Sequence, residues 1–303
     1  MALFRALEST RAIRRRLFSD PLAHGFLAPS LRCVVHVASA PLLGPVLPWC
    51  IDLLWLGARA SGVSRTRLID DLLAEALAGG IDQVVILGAG YDARAYRLPR
   101  LSQTSVFEVD HPATQATKKA GVRRMLGALP SNVTFVGLDF NQHSLPAALA
   151  AAGFDLRRRA VFVWEGVTNY LFEPAVDSTL RCVGDSAAGS LLVFTYVHLD
   201  ALTRPQDIPG GRRLARTLRR AGESWTFGLD PAAVPSYLAG RGLRLLEDIG
   251  SIDYRARYLG AQGRHLRGYA FYRVALARVE GMRPADPGTA TDMEHVEPSN
   301  AEG

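Results

Sequence analysis

Lysine is almost missing. Lys118 and Lys119 are the only two, and every other fixed cation is an arginine. With alanine and glycine abundant, that skew fits GC-rich coding better than selected phosphate contacts. The net charge is +6 and the pI about 9.5, so a nucleic-acid partner has to be weighed. The arginines are scattered, however. The local exceptions are Arg14 to Arg16, Arg157 to Arg159, and the set Arg212, Arg213, Arg216, Arg219 and Arg220. The last set recurs at helical spacing and makes one basic face. A solvated helix surface accounts for it, with an acidic substrate or a membrane surface as alternatives. No nucleic-acid partner is expected.

Cysteine is scarce as well. Cys33, Cys50 and Cys182 are odd in number, far apart and in no C-x-x-C pair. A disulfide framework and a zinc site are therefore not expected, and no metal is; free thiols in a reducing cytoplasm are. No secretory leader is expected, because the first residues are charged and no small-residue cleavage site follows an apolar core. An uninterrupted apolar run is also lacking. Residues 33 to 51 hold no Asp, Glu, Lys or Arg, but Pro41, Gly44, Pro45 and Pro48 break them up. A spanning helix needs roughly 20 apolar residues, so this segment reads as helical hairpin material that covers something. Internal repeats are absent.

What is present suits a folded domain. The chain has 303 residues, 48% of them hydrophobic and 21% charged, enough to bury a sizeable core. Three regions separate. Residues 1–80 look helical, with "TRLIDDLLAEALAGG" (66–80) the clearest helix, its Leu68, Leu72, Leu73 and Leu77 on one face. Residues 81–280 alternate short β-branched or aromatic runs with helical segments. "QVVILG", "SVFEVD", "VTFVGLD", "AVFVWEG" and "SLLVFTY" read as parallel strands covered on both faces. "LRLLEDIG" and "YAFYRVALARV", joined by a loop containing "YRARYLGAQGR", read as an antiparallel pair that closes the sheet. Residues 281–303 are rich in Pro, Asp, Glu, Ser and Thr and are expected to be disordered. The fold class is α/β.

In such a sheet, ligands bind beyond the carboxyl ends of the strands. After the first strand come Gly88, Ala89 and Gly90, glycines that let backbone approach a ligand closely. After the second come Glu108 and Asp110, about 20 residues past the glycines, where a carboxylate accepts from ribose hydroxyls or caps the next helix. Asp139 and Phe140 follow the third strand and suit an adenine edge or a plain turn. Glu165 and Gly166 follow the fourth; a carboxylate ending so apolar a run needs a cation, either a ligand's or an arginine's.

Gly-Ala-Gly-x-x-Ala formally fits the dinucleotide fingerprint. Yet Pro99 cuts the following helix short, and some eighty residues precede the first strand. Acids after four strands suit one adenosyl ligand carrying an amino acid better than a dinucleotide. The expected cofactor is S-adenosylmethionine.

The stretches "FSDPLA", "SRTRLIDDLL", "QVVILGAGYDARAYRL", "VFEVDHPATQATK", "GLDF", "VWEGVTNYL" and "YLGAQGR" occur in this order between residue 18 and residue 280. In them the chain resembles the leucine carboxyl methyltransferase superfamily, and more closely its bacterial branch of polyketide and secondary-metabolite O-methyltransferases. The resemblance implies a class I methyltransferase (Rossmann-like) sheet, mostly parallel with an antiparallel final strand, under an N-terminal helical lid. It implies that Gly88 and its loop take the methionine moiety, Asp110 the ribose, and Asp139 with Phe140 the adenine, while Glu165 lines the amino-acid end. An arginine before the first strand would hold the methionine carboxylate, either Arg65 or Arg59. The branch has Thr where this chain has Ala60.

The expected reaction is methyl transfer to an oxygen of a small, hydrophobic metabolite. A carboxylate acceptor needs no general base. A hydroxyl acceptor does, and His198, after the fifth strand, is the candidate. Tyr170, Tyr196, Tyr258 and Arg264 are candidates for the acceptor pocket, with segment 33–57 closing over it. The alternatives are a nicotinamide-dependent oxidoreductase, and a protein or tRNA carboxyl methyltransferase.

Overall fold

The structure is a computed structural model that describes residues 1–40, 50–51, 57–266 and 269–281. Helices α1 (Ala2–Ser9), α2 (Pro29–Ala38) and α3 (Ala58–Ala78) precede the sheet. Helix α3 is the expected helix but starts eight residues earlier, because small residues at its front, Ala58, Ala60, Ser61 and Gly62, are buried against other elements. The expected closing segment 33–57 falls mostly outside the described residues, as does the tail beyond residue 281.

Seven strands follow: β1 (Gln83–Leu87), β2 (Ser105–Asp110), β3 (Val133–Gly137), β4 (Ala160–Trp164), β5 (Leu191–Val197), β6 (Leu243–Gly250) and β7 (Tyr272–Val279). Their spatial order is β3-β2-β1-β4-β5-β7-β6. All neighbouring pairs are parallel except those made by β7, which is antiparallel to both β5 and β6. The last strand thus inserts between two earlier ones. This is the class I methyltransferase sheet.

Side-chain alternation builds a core on each face. In β1, Val85 and Leu87 join Phe107, Phe162 and Trp164 on one side. Val84 and Ile86 join Leu68, Ile69 and Leu73 of α3 on the other. The first face is covered by α6 (Leu145–Ala151), α7 (Glu173–Gly184) and α10 (Val234–Ala239), and the second by α3 and α11 (Ser251–His265).

Helix α11 corrects the expected loop between the last two strands. "YRARYLGAQGR" lies inside it, with Gly260 at φ 59° interrupting the helical backbone. Tyr254 packs fully buried into the second core, and Tyr258 donates to Asp71 of α3 at 2.8 Å. Paired tyrosines at i, i+4 are a helix signal that the glycines masked.

The strand order reverses between β1 and β4, as each strand pairs outward from β1 on one side and from β4 on the other. A crevice opens there at the carboxyl ends. The glycine turn after β1 therefore sits at the switch point.

Candidate active site

The chain leaves β1 through Gly88 at φ 64° and Gly90 at φ 42°. A Cβ at Gly88 would stand 2.3 Å from Val167 Cγ2, so this turn admits only glycine. A single helical turn, α4 (Arg94–Arg97), follows and ends before Pro99.

Two hollows meet at Gly88. One of about 190 Å³ is lined by Gly88, Ala89, Gly90, Arg65, Glu165 and Gly166, with Met1, Ala2 and Arg5 of α1 over it. The other, about 230 Å³, is lined by Gly88, Asp110, His111, Asp139, Phe140 and Val167. Carboxyl-end residues from four strands thus converge on one crevice.

Electrostatics differ along it. Glu165 is held by Arg65 Nε at 2.9 Å and by Arg94 Nη1 at 2.8 Å. Burial pushes its carboxyl up, but Arg94 and Arg65 outweigh burial and hold it below the ordinary value. Arg94 also pairs with Asp92, and with Asp70 of α3 at 2.8 Å. Arg97 reaches the same Asp70 at 2.7 Å. Burial likewise raises Asp92, and Arg94, Arg5 and Lys118 overcome it, leaving the carboxyl far below its usual range. Arg65 lies 4.8 Å above the Tyr272 ring, which together with Glu165 keeps it charged although buried.

Asp110 bridges two backbones. One oxygen accepts from Gly90 N–H, and the other accepts from His111 N–H at 2.6 Å. It locks the glycine turn to the start of α5 (Pro112–Leu126). The helix cap itself is His111, whose Nδ1 accepts from Ala113 N–H at 3.3 Å. Glu108 does not join Asp110 at the crevice. It is fully buried and paired with Lys118 at 2.7 Å. Both Asp139 oxygens are engaged in its own turn, by Asn141 N–H at 3.0 Å and Gln142 Nε2 at 2.6 Å.

The two candidate arginines part ways. Arg65 lines the hollow, whereas Arg59 points back to Glu8 of α1 at 3.4 Å. The acceptor candidates scatter. Tyr196 is buried and donates to Asp248 at 2.7 Å. His198 accepts from Asp200 N–H at 3.1 Å and lines neither hollow. Tyr170 is 43% exposed and reaches Glu223 at 3.1 Å. The Arg264 side chain lies outside the described residues.

Sequence reasoning missed Arg94, Arg5 and Asp20. Arg5 pairs with buried Asp20 at 2.9 Å and donates to the Tyr91 carbonyl, which ties α1 to the glycine loop. The available signals were the buried-looking "YDARAYR" and the acid of "FSDPLA".

The leucine carboxyl methyltransferase family model matches residues 1–184, more than half of the chain. The chain belongs to this family. A relative from Frankia alni, described as a candidate S-adenosyl-L-methionine-dependent methyltransferase, is 35% identical over 258 residues, covering 80% of this chain and 79% of its own. A second, from Streptomyces coelicolor and described alike, is 38% identical over 201 residues. That match, like another to a Frankia alni relative, spans 66% of the relative's length. Among solved structures, a candidate methyltransferase from Thermobifida fusca is 16% identical, with 91% of this chain and 94% of that one covered and a TM-score of 0.49.

Proposed function

We propose that this chain is an S-adenosyl-L-methionine-dependent methyltransferase, acting on an oxygen of a small, apolar, carboxylate- or hydroxyl-bearing metabolite. The observation that carries the reading is the single crevice. A glycine-only turn, a ribose-position acid, an aromatic and a guanidinium–carboxylate pair all face it. The donor set fits the cofactor. Arg65 offers a cation and Glu165 an anion for a zwitterionic amino-acid end, and no phosphate-binding cluster is needed.

When bound, S-adenosylmethionine supplies an electrophilic methyl on a sulfonium. The protein's task is positioning and water exclusion. Gly88 to Gly90 lay backbone against the amino-acid end. Arg65 presents a planar fork to its carboxylate. Asp110, already fixed by two N–H groups, keeps a lone pair on each oxygen for ribose hydroxyls. Phe140 offers a ring face to the adenine, and Asp139 shapes the turn that holds it. Helix α1 and the helices before β1 cover the crevice as its lid. The acceptor oxygen forms the new C–O bond as the C–S bond breaks, its electron pair passing to sulfur. A carboxylate acceptor arrives ionised. A hydroxyl acceptor would need a base, and His198 lines neither cofactor hollow.

Calorimetric titration tests the reading. S-adenosylhomocysteine is expected to bind one site per chain, and NADH is not expected to bind. Binding of NADH alone would overturn it in favour of an oxidoreductase. Substitution of Asp110 by Ala is expected to weaken S-adenosylhomocysteine about tenfold or more, as loss of hydrogen bonds to a charged group does.

A further inference from the structure

We infer that the cavity between α1, α9 (Gly211–Ala221) and the chain entering β7 takes the apolar body of the methyl acceptor, and that Arg213 at its rim binds an anionic group of that acceptor. The inference rests on the methyltransferase reading, because it names where the acceptor lies. The cavity holds about 330 Å³, in the range of small-molecule sites. Phe4, Leu214, Thr217, Tyr269 and Phe271 line it, and Arg213 is the one charged residue among the described residues that do.

The cavity shares walls with the cofactor crevice on two sides. Met1, Ala2 and Arg5 of α1 cover the glycine-loop hollow, while Phe4 of the same helix turns into the apolar cavity. Met1 and Phe4 both pack on Gly62, where a Cβ would meet them at 3.0 and 3.2 Å. Arg65 lies three residues further along α3, about one turn away. On the other side, the Tyr272 ring beneath Arg65 is 5.3 Å from the Phe271 ring, which lines the cavity. An acceptor seated here therefore abuts the groups proposed to hold the cofactor.

Arg213 sets the chemistry at the outer end. It is exposed and makes no ion pair among the described residues, so its fork is free for a carboxylate or phosphate. Beside it, Tyr269 holds a left-handed backbone at φ 58°. Tyrosine rarely adopts that conformation, and such outliers cluster at ligand sites. Its carbonyl is fixed by Ser251 Oγ at 2.7 Å, and its ring lies 5.2 Å from Phe271. A rim cation, an apolar middle and a reacting end toward Arg65 describe an amphipathic anion that carries a second, reacting oxygen at the end opposite Arg213, such as an aromatic hydroxy acid or dicarboxylic acid.

The test titrates the full chain by calorimetry with 2-naphthoate and with its uncharged methyl ester. The wild type is expected to prefer the anion at least fivefold. Arg213→Gln should erase that preference while ester affinity stays within twofold. Phe4→Ala should weaken both ligands about tenfold. A preference that survives Arg213→Gln, or failure of the wild type to bind either ligand, would overturn the assignment. A parallel titration with S-adenosylhomocysteine keeps the two readings apart. Its failure to bind removes the methyltransferase reading and the acceptor role with it, whereas normal binding beside a lost naphthoate site removes only this inference.

Discussion

Glu165 is the residue on which the crevice's charge balance turns. Two buried arginines face it, and removing its charge leaves Arg65 without its carboxylate partner, while Arg94 keeps Asp92 and Asp70. Glu165→Gln is expected to cost about 3–5 kcal/mol of stability, the range for a broken buried ion pair. A urea melt at neutral pH measures this. The pH dependence has a definite sign. The folded carboxyl titrates below its ordinary value of 4.5, so its contribution is complete above that pH and fades as pH falls through the folded value. The variant should show a shallower acid limb, with the remaining slope due in part to Asp92, whose carboxyl is also depressed. An unchanged acid limb would show that Glu165 is not held ionised. At Gly88, substitution by Ala forces a left-handed alanine against Val167. The expected loss is about 1–3 kcal/mol, together with S-adenosylhomocysteine binding. Retained binding in a calorimeter would contradict the proposed role of the turn. These residues were legible one strand end at a time. Their partners were not. Nothing local in the sequence links Glu165 to Arg94, 71 positions earlier, because the pair exists only once β4 lies beside β1.

At the scale of elements, the strands were readable because each is short, apolar and β-branched, and each stops at a polar turn. Helix α11 was misread as a loop. Its two glycines, Gly260 and Gly263, lower its helix propensity, and packing of Tyr254 and Tyr258 against α3 settles its form. Helix α1 gave little sign of a role, yet it caps both cavities through Arg5 and Phe4. Helix α9 was read correctly as a helix with a basic face. Arg216, Arg219 and Arg220 on it are exposed and make no ion pair among the described residues. Reversing all three to Glu is expected to leave thermal stability within about 0.5 kcal/mol per site. A much larger change in the melting temperature would reveal a packing role.

For the whole molecule, part of the positive charge belongs to arginines that answer acids inside the fold, and the rest is scattered over the chain. Arg5, Arg59, Arg65, Arg94 and Arg97 are all committed to internal ion pairs. The high pI is therefore a poor guide to nucleic-acid affinity. Retention on immobilised RNA is expected to vanish by physiological salt. Retention persisting there, with a steep salt slope, would favour the RNA-modifying alternative. No helix among the described residues is long and apolar enough to cross a membrane.

The sequence by itself determined the alternation of strands and helices, the antiparallel final strand and the glycine turn. Each of these is written in side chains a few positions apart. The tertiary structure decided which of two arginines faces the crevice, that Glu108 is sealed away with a lysine while Asp110 is not, and where an acceptor can sit. Those outcomes depend on which charges become neighbours after burial. An ion kept from water must find its counter-ion in whatever element the sheet order brings alongside.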